Sequence, residues 1–104
     1  MDAVLRALAE PHRREILRLV WGTELTAGEI AAHFPVTRSA ISQHLAFLKE
    51  SALLGERRVG TRRYYRALPR GLAELRGFLE EFRDDRLASL RRAELEERKK
   101  RDEG

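Results

Sequence analysis

The sequence contains no cysteine, which excludes disulfides, thiolate metal centres, iron–sulfur clusters and cysteine nucleophiles. It has no apolar run near the roughly 18 residues that a membrane-spanning helix needs. The opening stretch MDAVLRALAEPHRRE lacks the basic segment, apolar core and cleavage site of an export signal. A soluble, cytoplasmic protein without membrane insertion is therefore expected. Also missing are a glycine-rich phosphate loop, a Ser/His/Asp set at a useful spacing and a carboxylate pair other than helix-surface charges, so no enzyme is expected. No internal repeat or Gly/Ser linker divides the chain. Its 104 residues make one domain at most, with a modest core that oligomerisation would help.

What is present is an uneven distribution of charge. Residues 35–70 carry eight basic residues against two acidic ones in a chain of net charge +4, so the remainder is mildly acidic. One strongly basic segment on an acidic body is the pattern of a polyanion-binding surface.

Helical spacing governs most of the chain. Val4, Leu5 and Leu8 predict a first helix, Glu10-Pro11 punctuates it, and Pro11 suits the first turn of a second. Ile16, Leu17, Leu19 and Val20 turn that helix toward a core, and Gly22 ends it. Thr26 and Glu29 form a capping-box pattern at the start of a short third helix. Pro35-Val36 breaks it, and Thr37 caps a fourth. In that fourth helix, TRSAISQHLAFLKE, Ile41, Leu45 and Leu48 form an apolar stripe while Arg38, Ser39, Ser42 and Gln43 lie on the other side. His44 stands on the border, open to either a phosphate contact or a packed, hydrogen-bonded role.

After Gly55 the pattern changes to GERRVGTRRYYRAL, a β-hairpin turning at Val59-Gly60-Thr61 with one tyrosine in the core and one partly exposed. Arg58 and Arg62 stand nearest its tip, with Arg57 and Arg63 assisting from the strands. A solvated edge, blunted by charge against aggregation, is the competing reading of these arginines. From Gly71, Leu72, Leu75, Leu79 and Phe82 step by three and four along a last amphipathic helix. Leu87 and Leu90 continue the stripe approximately, and from Arg91 onward eleven of fourteen residues are charged. The expected organisation is a domain over residues 1–90 and a charged helical extension or tail over residues 91–104.

The order of these elements is that of a winged helix-turn-helix, mainly α with a small β-hairpin. The segments ALAEPHRREILRLV, LTAGEIAAHFPVTRSAISQHLAFLKESALL and GERRVGTRRYYRAL resemble the ArsR family of bacterial repressors over residues 3–85. The resemblance implies that the fourth helix is a recognition helix, and that the protein is a homodimer binding an inverted-repeat operator in double-stranded DNA. It also implies dimerisation through the last helix, with Leu72, Leu75, Leu79 and Phe82, joined by Leu5 of the first helix. The candidate DNA-binding residues are then Thr37, Arg38, Ser39, Ser42, Gln43 and His44 on the helix, with Arg57, Arg58, Arg62 and Arg63 on the hairpin. Arg38 suits guanine O6/N7, Gln43 suits adenine, and Thr37 at the helix N-terminus suits a phosphate.

The chain departs from the family at its switch. The cysteines that many relatives use to bind metal fall on Thr26 and Gly28. The last helix offers Glu80, Glu81, Asp84 and Asp85 but no histidine, which is a poor set for zinc or nickel. His12, His33 and His44 are expected on three different helices, so no metal site and no cofactor are assigned. A metal or organic effector, a regulatory protein partner and control by abundance alone stay open. A protein-interaction module is the rival functional class.

Overall fold

The computed structural model describes residues 1–103, apart from the side chains of residues 84–88, 102 and 103. Asp84, Asp85 and Leu87, named above for their side chains, therefore lie outside the described residues.

Two helices open the chain, α1 (Asp2–Leu8) and α2 (Pro11–Leu19). Their junction is built by Glu10, whose carboxylate accepts from the Arg13 amide at 3.1 Å and caps α2, with Pro11 in the first turn. Arg13 straps the two helices together, donating to the carbonyls of Ala7 and Arg6 at 2.8 and 2.9 Å. Gly22, at φ 80°, takes the left-handed conformation that turns the chain out of α2.

A two-residue strand β1 (Leu25–Thr26) leads into α3 (Ala27–Ala31), and the capping box forms as the Thr26/Glu29 pattern requires. Thr37 then accepts from the Ala40 amide at 3.1 Å and caps α4 (Arg38–Glu50). At the far end of α4, Leu53 N–H donates to Leu48 and Ala52 N–H to Lys49, a Schellman closure. Its left-handed position is held by Ala52 at φ 61°, where glycine is the usual occupant.

The hairpin is β2 (Leu54–Val59) and β3 (Arg62–Ala67). No strand is expected outside this hairpin, but β1 joins it, giving an antiparallel sheet of order β1-β3-β2 in which Leu25 faces Tyr65. Two residues carry too little periodicity to be read as a strand, and only the return of β3 beside them makes one. Tyr65 is buried and Tyr64 half-buried, as the two tyrosines were expected to divide.

The core gathers Ile16, Leu17 and Val20 of α2, Ile30 of α3, Ile41, Leu45 and Leu48 of α4, and Leu53, Leu54 and Tyr65 around the sheet. Residues 1–73 make one compact unit, and the chain from Glu74 onward makes a second. A 3-10 turn at Pro69–Leu72 closes the first unit. Leu72, expected on the last helix's seam, packs in this turn against the first unit's core. Gly71 approaches α4's end so closely that a Cβ there would stand 2.2 Å from the Ala52 carbonyl oxygen.

The single long last helix expected from sequence is two helices, α5 (Ala73–Glu80) and α6 (Asp84–Glu103). The break falls between Glu80 and Asp84. The boundary near residue 90 drawn from composition falls inside α6.

Candidate nucleic-acid interface

The polar side of α4 is outward because its apolar stripe is committed. Ile41, Leu45 and Leu48 are buried, while Thr37, Arg38, Ser39, Ser42 and Gln43 are exposed. The Arg38 guanidinium reaches back over α3, 3.5 Å from the place a Cβ on Gly28 would occupy. Between α3, the start of α4 and the hairpin tip lies an open groove of about 560 Å³, bordered by Thr26, Gly28, Arg38, Thr61, Arg62 and Arg63.

Strand register sorts the hairpin arginines by face. Arg58 stands opposite Arg63, and Arg57 opposite Tyr64; directly paired residues share a face of an antiparallel sheet. Arg63 borders a hollow with Ser42 and Lys49 of α4, so the Arg58/Arg63 pair belongs to the helix side. Arg57 belongs to the opposite side. There it donates to Glu24 at 2.7 Å through Nη2 and lies 5.3 Å from the Tyr64 ring centroid. Arg66 Nη1 stands 3.9 Å from the same carboxylate.

The carboxylates divide the arginines further. Glu56 is half-buried beneath Lys49, which donates to it, and Arg63 Nε lies 3.3 Å away. The Lys49 hydrogen bond holds the Glu56 carboxyl below its ordinary range, as the Arg57 hydrogen bond does for Glu24. The side chains of Arg38, Arg58 and Arg62 make no hydrogen bond or salt bridge among the described residues, although Arg62 lies near enough to Glu29, and Arg58 to Glu56, to help hold those carboxyls below their ordinary range. Arg38 and Arg62 beside an exposed, capped helix start, with Arg58 further along near Lys49, make a surface able to receive phosphates and base edges.

His44 sits elsewhere. It is half-buried, with Nε2 3.8 Å from Glu10 Oε2 and its ring centroid 5.8 Å from that of His12. Burial pushes the Glu10 carboxyl up, yet the Arg13 amide and the two histidines together hold it below the ordinary carboxylate range. His12 and His44 lie on different helices, as expected, and the packing of α2 on α4 nonetheless brings their rings together, while His33 lies just past the end of α3. Of the dimer candidates, Leu5, Leu79 and Phe82 are about half exposed, Leu75 is half-buried, and the Phe82 ring meets Phe78 edge-on at 5.2 Å. Sequence reasoning passed over Glu24, Lys49 and Phe78. Glu24 acts through Arg57, distant in sequence, and Lys49 through Glu56 in the next element; only Phe78, adjacent to Leu79, carried a local signal.

Helices α3 and α4 joined by a tight turn, with the β2–β3 wing beside them, define a winged helix-turn-helix DNA-binding protein. Residues 10–54 match the model of the bacterial regulatory proteins of the arsR family. The HTH-type transcriptional regulator Rv2034 of Mycobacterium tuberculosis is 44% identical over 81 residues, covering 78% of this chain and 76% of that protein. The transcriptional repressor SdpR of Bacillus subtilis is 42% identical over 65 residues, covering 62% and 72%. The homodimeric winged helix-turn-helix DNA-binding domain of Mb0332 from Mycobacterium bovis superposes with a TM-score of 0.64 at 32% identity, covering 83% of this chain and 80% of that one. The chain belongs to the ArsR family and is a DNA-binding transcriptional regulator.

Proposed function

We propose that the protein is a homodimeric repressor that reads an inverted-repeat operator with α4 in the major groove and the β2–β3 wing on the flanking backbone. The observation that carries this reading is the groove in which Arg38 at the exposed start of α4 meets Arg62 and Arg63 of the wing, with Arg58 bordering a neighbouring hollow beside Lys49 of α4. A helix fits the major groove, and residues of its first turns reach base edges most easily. Arg38 is assigned to guanine O6/N7 and Gln43 to adenine, with Ser39 and Ser42 as adaptable partners. Thr37 and the α4 N-terminus take a phosphate.

Arg58 and Arg62 enter the minor groove or clasp phosphates, with Arg63 behind them. Arg57 contributes less, because Glu24 already neutralises it. In this reading DNA is contacted by side chains and backbone amides alone. Self-association is assigned to α5 with the turn that follows it and to α1, through Leu5, Leu75, Leu79 and Phe82, with Phe78 added. A row of half-exposed aromatic and aliphatic groups on a short helix is poorly served by water. The homodimeric Mb0332 domain and the repressor SdpR support the assembly and the sign of regulation.

The test is a fluorescence anisotropy titration of the protein against its own upstream DNA and a scrambled duplex over a salt series. Preference for the upstream duplex with a steep salt dependence is the expected result. Equal, weak binding to both duplexes would overturn the proposal.

A further inference from the structure

Away from the groove, the fold assembles three donors that the DNA-binding reading does not use. Glu10 caps α2, His12 stands in the first turn of α2, and His44 lies in the middle of α4. His12 Nδ1 is 3.2 Å from Glu10 Oε1, and His44 Nε2 is 3.8 Å from Glu10 Oε2. One ligand atom from each residue lies within 4.8 Å of the other two. The 3.8 Å separation is too long for a hydrogen bond, and the half-buried His44 ring makes none among the described residues. Phe34 packs edge-on against the His12 ring at 5.5 Å between centroids and limits its motion.

We infer that Glu10, His12 and His44 form a binding site for a divalent transition ion of the zinc type. Two imidazoles and one carboxylate are the borderline nitrogen and oxygen set that such ions take, with a fourth position left for water. Bonds of about 2.0–2.2 Å in tetrahedral geometry put ligand atoms about 3.3 Å apart. The Glu10–His12 pair already meets that spacing at 3.2 Å, and an ion would draw His44 in from 3.8 Å. An ion has a way in, because the His12 side chain is 39% exposed and that of Glu10 31%. Magnesium and calcium, which require oxygen ligands, are not suited to the site.

The Glu10 carboxylate is fixed by the Arg13 amide before any ion arrives. The bound ion would tie the start of α2 to the middle of α4, restraining the helix that carries Arg38 and Gln43. The inference stands on these three residues alone and does not depend on DNA binding.

The full-length, metal-stripped protein is titrated with zinc chloride against a chromophoric chelator, and its melting temperature is followed with zinc and with magnesium. One zinc per chain is expected, with melting raised by zinc only, since an ion that binds the folded state stabilises it by mass action. His12→Gln and His44→Gln should each weaken zinc binding at least tenfold, while His33→Gln, at an exposed position outside the cluster, leaves it unchanged. Circular dichroism of each variant precedes its titration. Should His44→Gln fail to fold, the more exposed His12→Gln decides. Absence of stoichiometric zinc binding, or wild-type affinity in folded His12→Gln, overturns the site.

Discussion

Glu24 shows how one carboxylate sets the value of an arginine. Its bidentate pairing with Arg57, which donates through Nε to Oε1 and through Nη2 to Oε2, keeps that guanidinium on the side of the sheet away from α4 and offsets its charge. Glu24→Gln removes the charge but keeps a similar shape, so Arg57 becomes available to the DNA backbone. Operator affinity is expected to rise, and the slope of log affinity against log salt to steepen by about one; titration of wild type and variant over the same salt series checks this. The acidic partners also set a pH dependence. Glu24 and Glu56 titrate below their usual 4.5 because Arg57 and Lys49 donate to them. Depressed folded-state values add stability above pH 4.5 that is lost as pH falls through the folded values. Because the pairs are solvent-exposed the loss is shallow. Melting temperature measured from pH 6 downward should fall, and the Glu24→Gln/Glu56→Gln variant should flatten that fall.

Among the elements, the end of α4 and the 3-10 turn after β3 depend on each other. Gly71 lies against the Ala52 carbonyl, so Gly71→Ala must push the turn away and is expected to cost about 1–3 kcal/mol. Ala52 itself sits at φ 61°, and Ala52→Gly is expected to stabilise by about 1 kcal/mol. Urea unfolding of both variants measures the opposite signs. Most of this architecture was legible in sequence where the signal is local: the Thr26/Glu29 box, the Thr37 cap, the α4 stripe and the turn at Gly60 all depend on residues close in the chain. Strand β1, the Glu24–Arg57 pair and the meeting of His12 with His44 join residues distant in sequence. No periodicity reports such contacts. The last helix was read as continuous because Leu79 and Phe82 keep helical spacing across a break that spacing alone does not reveal.

For the molecule as a whole, the proposed function gives two surfaces to different partners. The apolar row of α5 is assigned to a second copy of the chain, and the α4 face with the wing to DNA. A two-fold symmetric operator needs both, because two half-sites are held in register only by a dimer. Leu79→Glu places a charge in that row. It is expected to shift the protein toward monomer in light scattering and to weaken operator binding, while the fold of residues 1–73 remains intact by circular dichroism. A variant that stays dimeric would reassign the interface.

The reading head itself is tested most directly by Arg38→Ala/Gln43→Ala, since both side chains are exposed and each base contact is worth about 1–3 kcal/mol of discrimination. Anisotropy titrations of wild type and this double variant against upstream and scrambled duplexes should show the preference for upstream DNA collapsing in the variant while weak, salt-sensitive binding persists through Arg58 and Arg62. A double variant that discriminates as well as wild type would contradict the assignment of α4 as the element that reads sequence.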